Sequence, residues 1–169
     1  MKNWYLFLSA TIFTLVLISC GNHQTLNPEM AFSSILDVSD VNSSIKFDST
    51  PHLVNPNALQ PTFIVKLNNT SEHYILFPSD YRIRLFLYSD DTNQWIEIEN
   101  KANVASDLNL VLAPSGSDGA EIAFVPFHPD LEATEYPVDI RVVVSGNVII
   151  GDDEIGEQVA AYVDLHLDY

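Results

Sequence analysis

Cysteine is nearly absent from this chain: Cys20 stands alone among 169 residues. No disulfide can form within the molecule, and a paired-thiol redox centre or a cysteine-rich zinc site is excluded. Basic residues are scarce as well, 7 Lys and Arg against 23 Asp and Glu, a formal net charge of −16. A surface of that sign repels phosphate backbones and anionic headgroups, so no nucleic-acid partner and no polybasic membrane contact is expected. The 6 glycines form no phosphate-cradling loop. There is no G-x-S-x-G elbow and no H-E-x-x-H helix, and Ser115, Ser117, His128 and His166 stand in no hydrolase pattern. The expectation is a protein that is not an enzyme.

What is present begins with the first twenty residues. Met1, Lys2 and Asn3 form a small positive start, and Trp4 to Ser19 carry no charge. An uncharged run of that length suits the apolar region of a signal peptide and falls short of the roughly 20 residues that span a bilayer as a helix. The run ends in Leu17, Ile18, Ser19 and Cys20. These four residues resemble the lipobox of bacterial lipoprotein precursors at every position. The resemblance implies cleavage between Ser19 and Cys20, a diacylglyceryl group on the Cys20 thiol and acylation of the new amino terminus with fatty acid such as palmitate. Each buried CH₂ of such chains contributes about 0.8 kcal/mol, so two or three chains hold a protein at a membrane. Gly21 and Asn22 follow, without the Asp that marks retention at the inner membrane in enteric-type bacteria. By that resemblance the address is the cell envelope, and the outer membrane where the organism has one. With Cys20 lipidated no thiol remains, which excludes a cysteine hydrolase.

The stretch from residue 20 to 43 reads as lipidated cysteine and tether, rich in Ser, Asn and Asp, with "PEMAFSSILDV" able to form a short helix or strand within it. From about residue 44 to 169 the chain turns to short β segments separated by turn residues. "TFIVKLNNTS" is a strand ending in a polar turn, "HYILFPS" a strand stopped at Pro78, and "YRIRLFLY" a clear alternation. In the last, Tyr81, Ile83, Leu85 and Leu87 share one face, and Arg82, Arg84, Phe86 and Tyr88 the other. "SDDTNQ" is a hairpin loop. "WIEIEN" follows, with Ile96 and Ile98 inward and Trp95, Glu97 and Glu99 outward. Arg82 and Arg84 are expected to face Glu97 and Glu99 across that hairpin.

"LNLVLAPSGSDGAEIAFVPF" holds two strands around a turn, and "PVDIRVVVSGNVII" a strand expected to break at Ser145-Gly146-Asn147. "EQVAAYVDLHLDY" closes the chain with Val159, Ala161, Val163, Leu165 and Leu167 inward and Ala160, Tyr162, Asp164, His166 and Asp168 outward. About eight or nine strands with no long helical pattern predict an all-β fold, an antiparallel two-sheet sandwich. The order of strand, Asn-rich turn, strand and then "LVLAPSG", turn, strand resembles the immunoglobulin-like domains of bacterial envelope proteins, without the Cys–Trp–Cys core of antibody domains.

Three candidate sites follow. Asp164, His166 and Asp168 lie at alternate positions of one strand, a spacing that puts imidazole and carboxylate ligands on one face for zinc or a related ion. The loops "GDDEIGE" (Asp152, Asp153, Glu154, Glu157) and "SDD" (Ser89–Asp91) offer oxygens suited to calcium if they share one end of the sandwich. Phe86, Tyr88, Trp95 and Tyr162 fall on outward faces and predict an aromatic surface for a protein or glycan partner. The expected function is a membrane-anchored, non-catalytic binding or structural module. The alternatives are an accessory subunit of a periplasmic envelope complex and a small metal-binding or metal-dependent protein. No cofactor beyond the covalent lipid is required.

Overall fold

The structure, a computed structural model, describes residues 41–54, 62–102, 108–151 and 154–168. The signal, Cys20, the tether up to residue 40 and the pair Asp152–Asp153 lie outside the described residues. Within them the chain is all-β, with ten strands: β1 Ile45–Phe47, β2 His52–Val54, β3 Thr62–Asn69, β4 Tyr74–Phe77, β5 Arg84–Ser89, β6 Gln94–Ile98, β7 Leu110–Leu112, β8 Ile122–Phe127, β9 Val138–Ile150 and β10 Glu154–Leu167. Every strand pairing is antiparallel.

The strands form two sheets. In the smaller, β3 is central. Its one edge is lined end to end by β2 and β1, and its other edge by β8. Pro126 sits in β8, which pairs only with β3, so its missing N–H costs no ladder bond. In the larger sheet β9 is central. β10 runs along one side of it, β5 and β4 follow each other along the other, and β6 and β7 flank β5 and β4. Two lateral positions thus each hold an interrupted strand, which is why ten strands appear where about eight or nine are read from the turn signals. Two antiparallel sheets of this kind make a β-sandwich.

One apolar core fills the space between the sheets. Phe63, Val65 and Leu67 from β3, with Val125 and Phe127 from β8, meet Ile75, Phe77, Leu85, Ile140, Val142, Val144, Leu165 and Leu167 from the larger sheet. Alternation in β3 is strict, each second residue being buried. Phe63 and Phe127 stack at 5.5 Å between ring centres. Each such side chain contributes about 1.5–3 kcal/mol by leaving water. Asn69 closes β3 at the buried end of this core. Its Nδ2 donates to the carbonyls of His73 (2.8 Å) and Ala113 (2.9 Å), and its Oδ1 accepts from Ser71 N (3.0 Å) and Oγ (2.8 Å). With four bonds the amide is fully satisfied, as a buried side chain of this kind must be.

Two expectations are corrected. The segment Ser145-Gly146-Asn147 does not turn. It lies inside β9, which continues for 13 residues before the hairpin to β10. A side chain at Gly146 would place its Cβ 2.8 Å from the Leu76 carbonyl and 2.9 Å from the Phe77 ring. The glycine is there because β4 crosses at contact distance, and its backbone is not in the left-handed region. Second, "LNLVLAPSGSDGAEIAFVPF" does supply two strands, but they belong to different sheets: β7 pairs with β4 and β8 with β3.

Between β4 and β5 the chain leaves the ladder at Pro78 and rejoins it at Arg84. Tyr81 and Arg82 take positive φ (54° and 46°), and the Tyr81 carbonyl accepts from Ser145 N at 3.2 Å, returning the detour to β9. At the other side of the sheet, Asn42 donates its backbone N–H to the Ala160 carbonyl (3.0 Å) and accepts from Tyr162 N at its Oδ1 (2.9 Å). The segment leading into β1 therefore sits against the outer edge of β10.

Candidate binding surface

The outer face of the larger sheet is built in rows that cross the strands. Glu97, Phe86, Arg141 and Asp164 stand side by side on β6, β5, β9 and β10. On one side of this row Trp95 is opposite Tyr88, and Asp139 opposite His166. On the other side Arg84, Val143 and Tyr162 are aligned. The expected aromatic set is thus gathered on one face.

One member is corrected. Phe86 is only 1% exposed, buried with Val143 and Ala160 in a small second core beneath Trp95 and Tyr162. The cause is arginine. The Arg141 guanidinium lies 4.6 Å from the Trp95 ring centre and 4.3 Å from that of Tyr162, and that of Arg84 lies 5.1 Å from the Phe86 ring. A planar cation with a weakly held hydration shell stacks on ring faces and seals what is below them. Arg141 is itself 8% exposed and is held by a two-pronged bond to Asp164, Nε to Oδ1 at 2.6 Å and Nη2 to Oδ2 at 2.9 Å.

Of the two ion pairs expected across the β5–β6 hairpin, one forms. Arg84 donates from Nε and Nη2 to the two Glu97 oxygens, each at 2.7 Å. Their mutual hydrogen bond is the largest influence on both, raising the Arg84 pKa and lowering that of Glu97. Both groups are substantially solvated, so the pair contributes only about 0.5 kcal/mol. That share is present above the ordinary glutamate pKa and is lost as pH falls through the lowered one. Arg82 does not reach Glu99. It stands in the detour and donates to Asn147 Oδ1 at 3.2 Å.

What remains accessible on this end is the half-buried trio Tyr88, Trp95 and Tyr162. Tyr88 and Trp95 meet edge to face at 5.2 Å, and Tyr88 donates its hydroxyl to Asn93 in the hairpin turn. Carboxylates surround the trio: Glu97, Asp139, Asp164 and Asp168. Rings stack on apolar C–H faces and attract cations, while carboxylates accept from hydroxyls and ammonium groups. The surface therefore has the chemistry to take sugars or cationic, apolar protein segments.

The metal-ligand reading of Asp164, His166 and Asp168 finds little geometry behind it. Among the described residues no three His, Cys, Asp or Glu gather in a way that could hold a metal ion. Asp164 is engaged by Arg141, and His166 faces a carboxylate at each ring nitrogen, Asp139 at 2.7 Å from Nδ1 and Asp168 at 3.4 Å from Nε2. The hydrogen bond to Asp139 is the chief cause of a raised His166 pKa. The Ser89–Asp91 loop follows the end of β5 that lies against the start of β9, whereas Glu154 and Glu157 follow the far end of β9; Asp152 and Asp153 lie outside the described residues.

Because the folded pKa of His166 is raised, its contribution to stability is complete below the ordinary histidine value of about 6.5 and disappears as pH climbs through the raised value. An NMR titration of the imidazole should give a midpoint above that of a free histidine. Asp139→Asn should bring the midpoint down toward the free value, and an unchanged midpoint in this variant would refute the pairing.

No protein-family model matches the chain, and a search of the curated proteins finds no match either.

Proposed function

We propose that the chain is a lipid-anchored cell-envelope protein whose β-sandwich is a non-catalytic binding module for a protein or glycan partner. The observation that carries the binding role is the layered end of the larger sheet. The Arg141 guanidinium lies between the Trp95 and Tyr162 rings from neighbouring rows, and with Tyr88 these rings form an aromatic surface edged by carboxylates, the chemistry of a binding face. The anchor rests on the lipobox at Leu17–Cys20.

The test is labelling with palmitate followed by membrane fractionation, for the natural chain and for Cys20→Ala. The natural chain should carry label and sediment with membranes, and the variant should lose the label entirely. An unlabelled natural chain, or a variant that stays labelled, would remove the anchor from the proposal. Protease treatment of intact cells, with lysed cells as control, then tells which side of the envelope the sandwich faces and so which partners can reach it.

A further inference from the structure

The opposite end of the same outer face carries a different surface. Tyr74 on β4, Ile149 on β9 and Ile155 on β10 stand in one row, and Val111 and Leu76 on β7 and β4 in the next. Tyr74 is 49% exposed, Val111 44% and Ile155 63%, with Leu76 and Ile149 half-buried between them. Five apolar side chains thus form one continuous patch over four strands. Such a patch costs solubility and is retained where something covers it.

Charge decides what covers it. Exposed Glu157 follows Ile155 by two residues, and exposed Glu72 precedes Tyr74 by two residues. His73 lies beside Glu72, and Arg82 sits at the inner margin with its guanidinium on Asn147. A second copy would bring Glu72 and Glu157 against their own equivalents, on a chain of net charge −16. An anionic bilayer surface meets the same repulsion. A protein surface with an apolar centre and a Lys/Arg margin complements both features.

We infer that this end of the sheet, centred on Ile149 and Ile155, docks a protein partner whose contact surface is apolar at the centre and basic at the rim. The inference stands whether or not the Trp95 end binds a ligand.

The experiment uses the full chain in the cells that make it, with the photo-crosslinker p-benzoylphenylalanine in place of Ile155. The same residue is placed at Lys46, on the smaller sheet, as a control and at Tyr88 as a separate report on the aromatic end. Expected is a light-dependent adduct from position 155 and not from 46, with one protein whose crosslinked peptide is rich in Lys and Arg. Adding Glu72→Lys and Glu157→Lys should cut the yield about tenfold. The two charge changes are on exposed positions, and an unchanged melting temperature verifies that the fold survives. No adduct from 155, an adduct with lipid or with a second copy, or a yield that ignores the charge reversal would each overturn the inference. An adduct from Tyr88 alone would overturn it while leaving the proposed binding module intact.

Discussion

Arg141→Ala should lower the unfolding free energy by about 3 kcal/mol, more than any other single change on the outer faces. Two terms make up the loss. The guanidinium sits between the Trp95 and Tyr162 rings at 4.6 and 4.3 Å, a largely desolvated cation–π arrangement contributing about 2 kcal/mol. Its two hydrogen bonds to Asp164 add about 1 kcal/mol after allowance for the half-exposed carboxylate. Removing the side chain also opens the small core to water over Phe86, Val143 and Ala160. Arg141→Lys should recover less than half, since an ammonium can neither stack as a plane nor bond both oxygens as a fork. Asp164→Asn should cost about 1 kcal/mol. Urea unfolding of the three variants measures all of this; a Lys variant as stable as the natural chain would show that charge alone, and not the stack, holds the face together.

Gly146→Ala should be the costliest small change within a strand, at about 3 kcal/mol. Glycine to alanine inside a strand is ordinarily favourable by about 0.5–1 kcal/mol. Here the new methyl would stand 2.8 Å from a backbone oxygen and 2.9 Å from the ring of Phe77, which is fully buried. Neither neighbour can step aside without moving β4 off β9 or displacing core packing. Phe77→Leu in the same chain should not rescue the variant, because the Leu76 carbonyl is part of the ladder. Thermal unfolding of the single and double variants tests this. A Gly146→Ala protein as stable as the natural chain would mean that β4 does not cross β9 there.

These two residues also mark where the sequence is readable and where it is not. The alternation announces itself in the eight letters Tyr81–Tyr88 and the thirteen letters from Glu157 on, and the inward set Val159, Ala161, Val163, Leu165 and Leu167 packs into the core, Val163 only partly buried. Local period is enough when a strand has one wet face. Gly146 misleads because Ser-Gly-Asn has the composition of a turn. Its true reason, the approach of β4, comes from residues about seventy positions away. Phe86 misleads in the same manner. Its place on the outward face is correct, but it is buried with Val143 and Ala160 beneath Trp95 and Tyr162, side chains that come from three other strands. The second apolar patch is not legible in the sequence for a related cause: Tyr74, Val111, Ile149 and Ile155 each look like an ordinary strand residue, and only the register of four strands gathers them. Arg82 failed to meet Glu99 because the detour after Pro78 takes it out of the ladder, where hairpin counting no longer applies.

The contact of Asn42 with the edge of β10 has a mechanical meaning. Any pull on the chain ahead of residue 41 enters the sandwich at this point, through the bond from Asn42 N to Ala160 and the bond from Tyr162 N to Asn42 Oδ1. Beyond them the load passes to β1, whose three residues pair with β3 in the other sheet. A tensile load therefore meets the two bonds at Asn42 before it reaches the ladder of β1 with β3.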